Sequence, residues 1–322
     1  MAKKLPKLPQ LLQSKIYKTG QTRGADDDVI YQNRVNRNST VIIPFEVVEF
    51  YDLKKAFFEN GFIVIIKPED YFKNPVTLPK MKKNGIKLGI NALLFYETRF
   101  QWNNYNPNEN KLTIAQNRTG PLGGQFVARV PSTTSKDDEK IILGFNTSGL
   151  KGAGIRVYEY ASIAEIKKCH LQLEYLFWLC IDAESVALEA GMTEDEIFDR
   201  RLAITNSCIE NNLLEFEKLL AARIINKNGN TVCPLCLNTL TAKGFLNRLE
   251  QAEGRNVPDL TVTQINLFHI RELKFGEFNH KSYNLGWGHH HCNVVCKDSG
   301  IIDTLKWMKT IIDLNVNEGI VF

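Results

Sequence analysis

Four residues in the last third of the chain have the side chains and the spacing to close around one metal ion. Cys233 and Cys236 flank a Pro-Leu pair, and His289 and Cys292 flank two further histidines. A Cys-x2-Cys turn presents two thiolates to a tetrahedral ion, and a second pair with the same spacing completes the shell. Four ligands leave no open position, so the expected chemistry is a structural zinc site, stable where thiols stay reduced. Other ligand choices stay open on spacing alone: Cys292 with Cys296, or His290 or His291 in place of His289. The plain reading makes Cys233 and Cys236 incidental thiols. It is the weaker one, because the two half-sites lie at opposite ends of one short segment.

A second series is threaded through the same stretch. His269 lies at the end of the β-like run TQINLFHI, fourteen residues lead from it to Asn284, and eight more lead to Asn293. After a loop, Tyr283 to Gly288 returns as a second strand loosened by glycine, and a helix is expected to start near Cys292. The expected order is strand, strand, helix around a metal, with Asn293 in the first turn of the helix. Trp287, between two glycines, reads as the core plug of this small unit.

On these residues the segment from about 230 to 300 resembles the HNH (ββα-metal) nuclease family in its zinc-stapled form. The spacing His269-x14-Asn284-x8-Asn293 fits that family's motif, and CPLC with HHHC fits its two zinc knuckles with one Cys replaced by His. The resemblance implies that His269 is the general base that activates the attacking water. It also implies that Asn284 braces the loop behind the site through backbone hydrogen bonds and that Asn293 binds a catalytic divalent cation, Mg2+ or similar. Physical chemistry agrees with these roles. An imidazole with an ordinary pKa of about 6.5 accepts a proton from water at physiological pH. A carboxamide oxygen suits a hard cation that stabilises the charge growing on a phosphodiester under attack. The sequence departs from the family at Phe268, where Asp or His commonly supplies a second metal ligand. Glu272, near His269 in sequence, is the first candidate for that place, followed by Glu277, His280 and His291. Arg271 and Lys274 are candidates to clamp flanking phosphates, or equally solvated loop charges.

An HNH unit has little surface for reading sequence, so target recognition is expected from the rest of the chain. Residues 89–106, GINALLFYETRFQWNNYN, set Arg99, Gln101, Asn103, Asn104 and Asn106 among aromatics, and Arg118 lies on an expected loop. Arg, Asn and Gln are the side chains that pair with base edges, although Asn-rich turns are also plain loop chemistry. A chain of this size with one C-terminal HNH unit and a large separate domain looks like a type II restriction endonuclease. The stretch GEFNHKSYNLGWGHHHCN is similar to enzymes of the BstXI kind. Such enzymes commonly act on double-stranded DNA as homodimers, two sites cutting two strands. Two other readings are kept beside this one: a modification-dependent HNH endonuclease and a non-catalytic zinc DNA-binding protein. A PD-(D/E)xK nuclease built on Asp137, Asp138, Glu139 and Lys140 lacks a strand-placed Asp partner.

These residues need a scaffold. The chain has 322 residues, 43% of them hydrophobic and 24% charged, enough for a sizeable core and too apolar for global disorder. A net charge of +4 permits a nucleic-acid partner without demanding one. Seven cysteines, with close pairs only at 233/236 and 292/296, suit a metal site better than a disulfide framework; Cys169, Cys180 and Cys208 read as buried thiols. No signal peptide or membrane-spanning run is visible, so a cytoplasmic protein without a membrane partner is expected.

The expected fold class is α+β in three parts. Residues 1–160 form a β-rich DNA-recognition domain behind a basic, partly extended arm, with a proline-punctuated loop carrying Lys73, Lys80, Lys82 and Lys83. Residues 161–228 form a helical connecting and dimerisation region. In it Thr193 to Glu196 and Ser207 to Glu210 read as capping boxes, the second opening a long helix from about 208 to 225. Residues 229–322 form the HNH domain, closed by an amphipathic helix over Leu305 to Leu314.

Overall fold

Leucines at four-residue spacing decide what the N-terminus does. The first helix, α1 (Gln10–Ile16), starts directly after Pro9 and buries Leu12, Lys15 and Ile16; Leu8 just before it is also buried. The expected extended arm is therefore corrected over this stretch, because Leu8, Leu12 and Ile16 share one helical face and pack into a core. The computed structural model describes residues 5–17, 21–22, 30–31, 35–53, 57–130, 141, 144–145, 152–249, 263–297 and 299–320. Arm residues Lys3, Lys4, Lys18, Arg23 and Arg34 lie outside the described residues, as do Asp137 to Lys140.

The chain forms two compact units. One comprises Gly20–Ser162 with Lys274–Phe278. After a short antiparallel pair, β1 (Gln21–Thr22) and β2 (Val35–Asn36), come the strands of a five-stranded sheet. These are β3 (Val41–Pro44), β4 (Phe62–Ile66), β5 (Ala92–Tyr96), β6 (Phe126–Ala128) and β7 (Ile155–Arg156), in the order β6-β5-β4-β3-β7, and every pairing is parallel. Alternate residues of the central strands enter different cores: Val41, Ile43, Val64, Leu94 and Tyr96 on one face, Ile42, Ile63, Leu93 and Phe95 on the other. Burial on both faces explains the unbroken apolar runs.

Parallel pairing needs crossovers of a dozen or more residues, and helices fill them. The stretch read as a proline-punctuated loop holds α2 (Pro68–Lys73) and α3 (Thr77–Lys83), and α4 (Arg99–Asn104) follows β5. Pro68 and Pro79 stand in first helical turns, where the missing N–H has no intrahelical partner to lose. The unit is thus mixed α/β with a parallel sheet, where the sequence suggested mostly strands.

The other unit comprises Met1–Thr19, Ile163–Leu273 and Asn279–Phe322. Its helices are α5 (Ile163–Trp178), α6 (Ala183–Glu189), α7 (Glu194–Glu210) and α8 (Phe216–Ala221). The Thr193/Glu196 capping box is present at the start of α7. Ser207, by contrast, lies inside α7, so the second capping box and the helix over 208–225 are corrected: α7 stops at Asn211, and Leu213 turns back into a core with Ile204 and Cys208. A buried ion pair, Arg200 to Glu174 at 2.5 Å, joins α7 to α5. The same guanidinium donates to the Pro6 carbonyl, and Tyr17 donates to Glu174, tying the start of the chain to these helices. The unit closes with an antiparallel hairpin, β8 (Ile265–His269) and β9 (Leu285–His289), then α9 (His290–Cys296) and α10 (Ile301–Asn317). Among the described residues no helix is long and apolar enough to cross a membrane.

Candidate functional site

The hairpin is built on close approach. A Cβ on Gly286 would stand 2.5 Å from Ile224 Cγ2, and one on Gly288 would stand 2.5 Å from Phe268 Cδ2, so both strand positions require glycine. Trp287 between them is 1% exposed, donates from Nε1 to the Leu173 carbonyl at 2.8 Å and meets Phe245 edge-on with centroids 4.8 Å apart. It is the core plug. His289 ends β9 and His290 begins α9, which packs against both strands.

That junction carries half of a group of side chains that could hold a metal ion. The Sγ atoms of Cys233, Cys236 and Cys292 and a ring nitrogen of His289 all lie within 4.8 Å of one another. A tetrahedron with zinc bonds of about 2.0–2.3 Å has edges of roughly 3.3–3.8 Å, so the four donors need only small shifts to close on an ion. Three hydrogen bonds fix the Cys-x2-Cys turn: Cys233 N–H donates to the Asn238 carbonyl at 2.9 Å, Leu237 N–H returns to the Cys233 carbonyl at 2.8 Å, and Arg223 Nε donates to the Pro234 carbonyl at 2.9 Å. Burial, and then the neighbouring Cys233 and Cys236 sulfurs, push the Cys292 thiol up. A cation among three sulfurs is what would reverse that cost. Of the other ligand choices, Cys296 is buried outside this group of four, and His290 Nδ1 pairs with Asn266 Nδ2 at 2.9 Å. His291 stacks on His289 and brings its Nε2 to 3.4 Å from Cys292 Sγ, so it stands at the edge of the group.

His269 sits at the far end of β8, paired across the hairpin with Leu285 and half-buried. The loop that leaves it is gripped by Asn284, which is 4% exposed. Asn284 Oδ1 accepts from Arg271 N–H at 2.8 Å, and its Nδ2 donates to the carbonyls of Asn279 at 2.7 Å and Arg271 at 3.2 Å. Its own carbonyl accepts from Ile270 N–H at 3.0 Å. Asn279 extends the clamp by donating to the Glu272 carbonyl at 2.8 Å. His280, buried, brings Nδ1 to 3.1 Å from His269 Nε2. Spacing offered His280 only as one ligand candidate among several; contact with His269 depends on how the loop folds back.

The remaining candidates fall in different places. Asn293 lies in α9, half-buried, and Glu272 is exposed on the loop. Among the described residues the only cluster of three or more His, Cys, Asp or Glu ligand atoms is the Cys3His one, so Glu272 does not gather with His269 and His280 into a second. Phe268 is fully buried beside Gly288, which explains why no ligand stands there: the position points into the core. Arg271 is exposed, and Lys274 pairs with Glu277 at 2.9 Å. Gln101 is turned inward. It is 5% exposed, receives the Glu97 and Thr98 amides and donates to Glu69, completing a capping box on α4. Arg99 is exposed beside it, and Arg118 donates to the Phe145 carbonyl at 3.2 Å.

One residue that positions the hairpin was not singled out by sequence. Lys15 on α1 is 4% exposed and donates to Thr263 Oγ1 and, at 2.7 Å, to Asn266 Oδ1. Asn266 in turn holds His290, next to His289 of the Cys3His group. The only signal for Lys15 was its place beside Ile16 on the apolar face of α1.

The sequence profile of the BstXI restriction endonuclease family matches residues 14–290. A solved structure described as "Crystal structure of a type II restriction endonuclease" aligns at 14% identity with a TM-score of 0.29, a likeness too slight to argue from. The alignment covers 48% of this chain, which spans 56% of the length of that protein. No curated protein matches the chain.

Proposed function

Because the chain belongs to the BstXI restriction endonuclease family, we propose that it cuts both strands of double-stranded DNA at a specific sequence, using an HNH-type unit. The observation that carries this reading is the Asn284 clamp, three side-chain hydrogen bonds that fix the loop leaving His269. Such a clamp has a purpose if the imidazole must meet a reacting atom at a set place.

In the proposed reaction His269 takes a proton from water, the water oxygen bonds to phosphorus, and the bond from phosphorus to the leaving sugar oxygen breaks. A divalent cation such as Mg2+, when bound, stabilises the charge on the phosphorus oxygens. Asn293 and Glu272 are the oxygen donors that would hold it, with water filling the other positions. Cys233, Cys236, His289 and Cys292 would hold structural zinc, cross-linking the turn before β8 to the start of α9. Arg271 and Lys274 would contact phosphates flanking the cut, and Arg99 and Arg118 would serve recognition. Two copies of the chain would supply the two cuts.

The test is cleavage of methylated and unmethylated plasmid with Mg2+, by the wild type and by His269→Ala. The wild type should give discrete linear fragments, and His269→Ala should bind DNA with cleavage reduced by about a thousandfold or more. Cutting of methylated DNA alone would move the reading to a modification-dependent enzyme. DNA binding by a wild type that leaves both plasmids intact would leave a zinc DNA-binding protein.

A further inference from the structure

Helix α10 packs over its first two turns and then runs on uncovered. Ile301 and Thr304 are buried, and Leu305 and Met308 pack half-buried against the core of their unit. At 3.6 residues per turn that same face continues as Ile311, Ile312, Asn315 and Val316. There Ile311 is 37% exposed, Ile312 48% and Val316 51%, while Trp307 and Leu314 on the flank are 56% and 60% exposed. The apolar arc is as wide in the last two turns as in the first two, yet only the first two have a core beneath them.

We propose that this uncovered half of α10, from Trp307 to Val316, is the surface through which two copies of the chain pair. The area supports that occupant. The exposed apolar side chains amount to roughly 500 Å² per copy, near the top of what a monomer leaves bare, and with polar neighbours they approach the ~800 Å² per partner of a stable two-fold interface. The charges argue against DNA. Lys306 pairs with Asp303 at 3.3 Å and Lys309 with Asp313 at 2.8 Å, so the polar side of the helix is internally neutralised. It offers no basic face to phosphates or to an anionic membrane surface, and no net charge to repel its own copy. A two-fold contact also lets one patch cover itself, so no second complementary surface is required. This inference rests on the endonuclease reading only for its consequence, that two nuclease units act on one site.

The experiment is sedimentation of the full chain, without DNA, for the wild type, Ile312→Lys with Leu314→Lys, Trp307→Lys alone, and Phe198→Lys on α7. Phe198 is the control because α7 carries another exposed apolar stripe with Leu202 and Ile209. The wild type should be a dimer at micromolar concentration. Each α10 variant should weaken association by about a hundredfold or more, because every substitution enters a two-fold interface twice. The α10 variants should melt, independently of concentration, at the temperature the wild type approaches on dilution, since the altered side chains are exposed within one chain and only the dimer's mass-action stabilisation is lost, and Phe198→Lys should remain dimeric. On supercoiled plasmid the α10 variants should accumulate nicked circles where the wild type gives linear product. A monomeric wild type, or α10 variants that stay dimeric, overturns the proposal. A dimer broken by the α10 changes whose wild type cuts no DNA instead removes the nuclease reading and leaves the interface standing.

Discussion

Replacing Asn284 tests whether the loop clamp is what makes His269 useful. Asn284→Ala removes one acceptor and two donor contacts, to Arg271 N–H, the Arg271 carbonyl and the Asn279 carbonyl, from a side chain that is 4% exposed. At about 0.5–1.5 kcal/mol for each net hydrogen bond, the loss is about 2–4 kcal/mol, most of it felt locally between 270 and 284. The Ile270 to Asn284 backbone bond survives the change, so the hairpin itself should persist. The local term can be read by amide exchange. Arg271 N–H loses its acceptor, and 2 kcal/mol corresponds to roughly a thirtyfold drop in protection. Asn284→Asp is the sharper companion. It keeps an acceptor for Arg271 N–H but sets a carboxylate oxygen against two carbonyls, so it should not rescue. Plasmid cleavage should fall by about a hundredfold in both variants, the size expected when a reacting group is misplaced by about 1 Å. If Arg271 loses its protection while cleavage stays within twofold of wild type, the clamp holds the loop but does not position the chemistry, and the proposed role is wrong.

Other expectations follow from the same geometry. Phe268→Asp places a carboxylate at the position where the family commonly has a ligand, yet the site is fully buried. It should cost about 3–5 kcal/mol or more in urea unfolding and gain no cleavage, whereas a more active variant would mean that this position can reach the cation. Cys292→Ser, or a strong chelator on the wild type, should lower the zinc content measured by elemental analysis from about one per chain to near zero and lower the melting temperature. Unchanged metal content would shift the fourth ligand to Cys296 or another histidine. Burial lowers the His170 imidazole from its ordinary value to about 4. The unfolded chain then binds more protons than the folded one between about pH 6.5 and 4, so stability should fall as pH drops through that window. His170→Gln should flatten the melting temperature against pH there, and an identical slope in both proteins would refute that contribution. His280→Ala should reduce cleavage more than it reduces stability if the contact with His269 Nε2 orients that ring, and equal losses would make His280 a packing residue.

Local chemistry was the part of the molecule most legible from its sequence. The Cys-x2-Cys and His-x2-Cys spacing pointed to four donors that the fold brings within 4.8 Å, because ligands two residues apart in a turn converge whatever surrounds them. The strand, strand, helix order around His269 and Asn284 was legible for a similar reason, since glycine and alternation mark a tight hairpin. Prolines misled where position mattered more than identity. Pro68 and Pro79 punctuate a loop on paper but open α2 and α3 in the fold, and the sheet they cross over is parallel. Gln101 looked like a base-reading side chain; its Oε1 caps α4 through the Glu97 and Thr98 amides, and what only the fold supplies is Glu69 as acceptor for its Nε2.

By itself, then, the sequence determined the two cysteine-bearing knuckles that supply the donors, the hairpin that carries His269 and the family to which the chain belongs. Only the tertiary structure shows that His289 comes within 4.8 Å of three cysteine sulfurs, that His280 meets His269, that Lys15 from the start of the chain holds Asn266, and that α10 outruns its core. The reason is reach. Turns, caps and ligand pairs are settled among residues a few places apart, whereas contacts such as Lys15 with Asn266 exist only after segments some 250 residues apart have packed together.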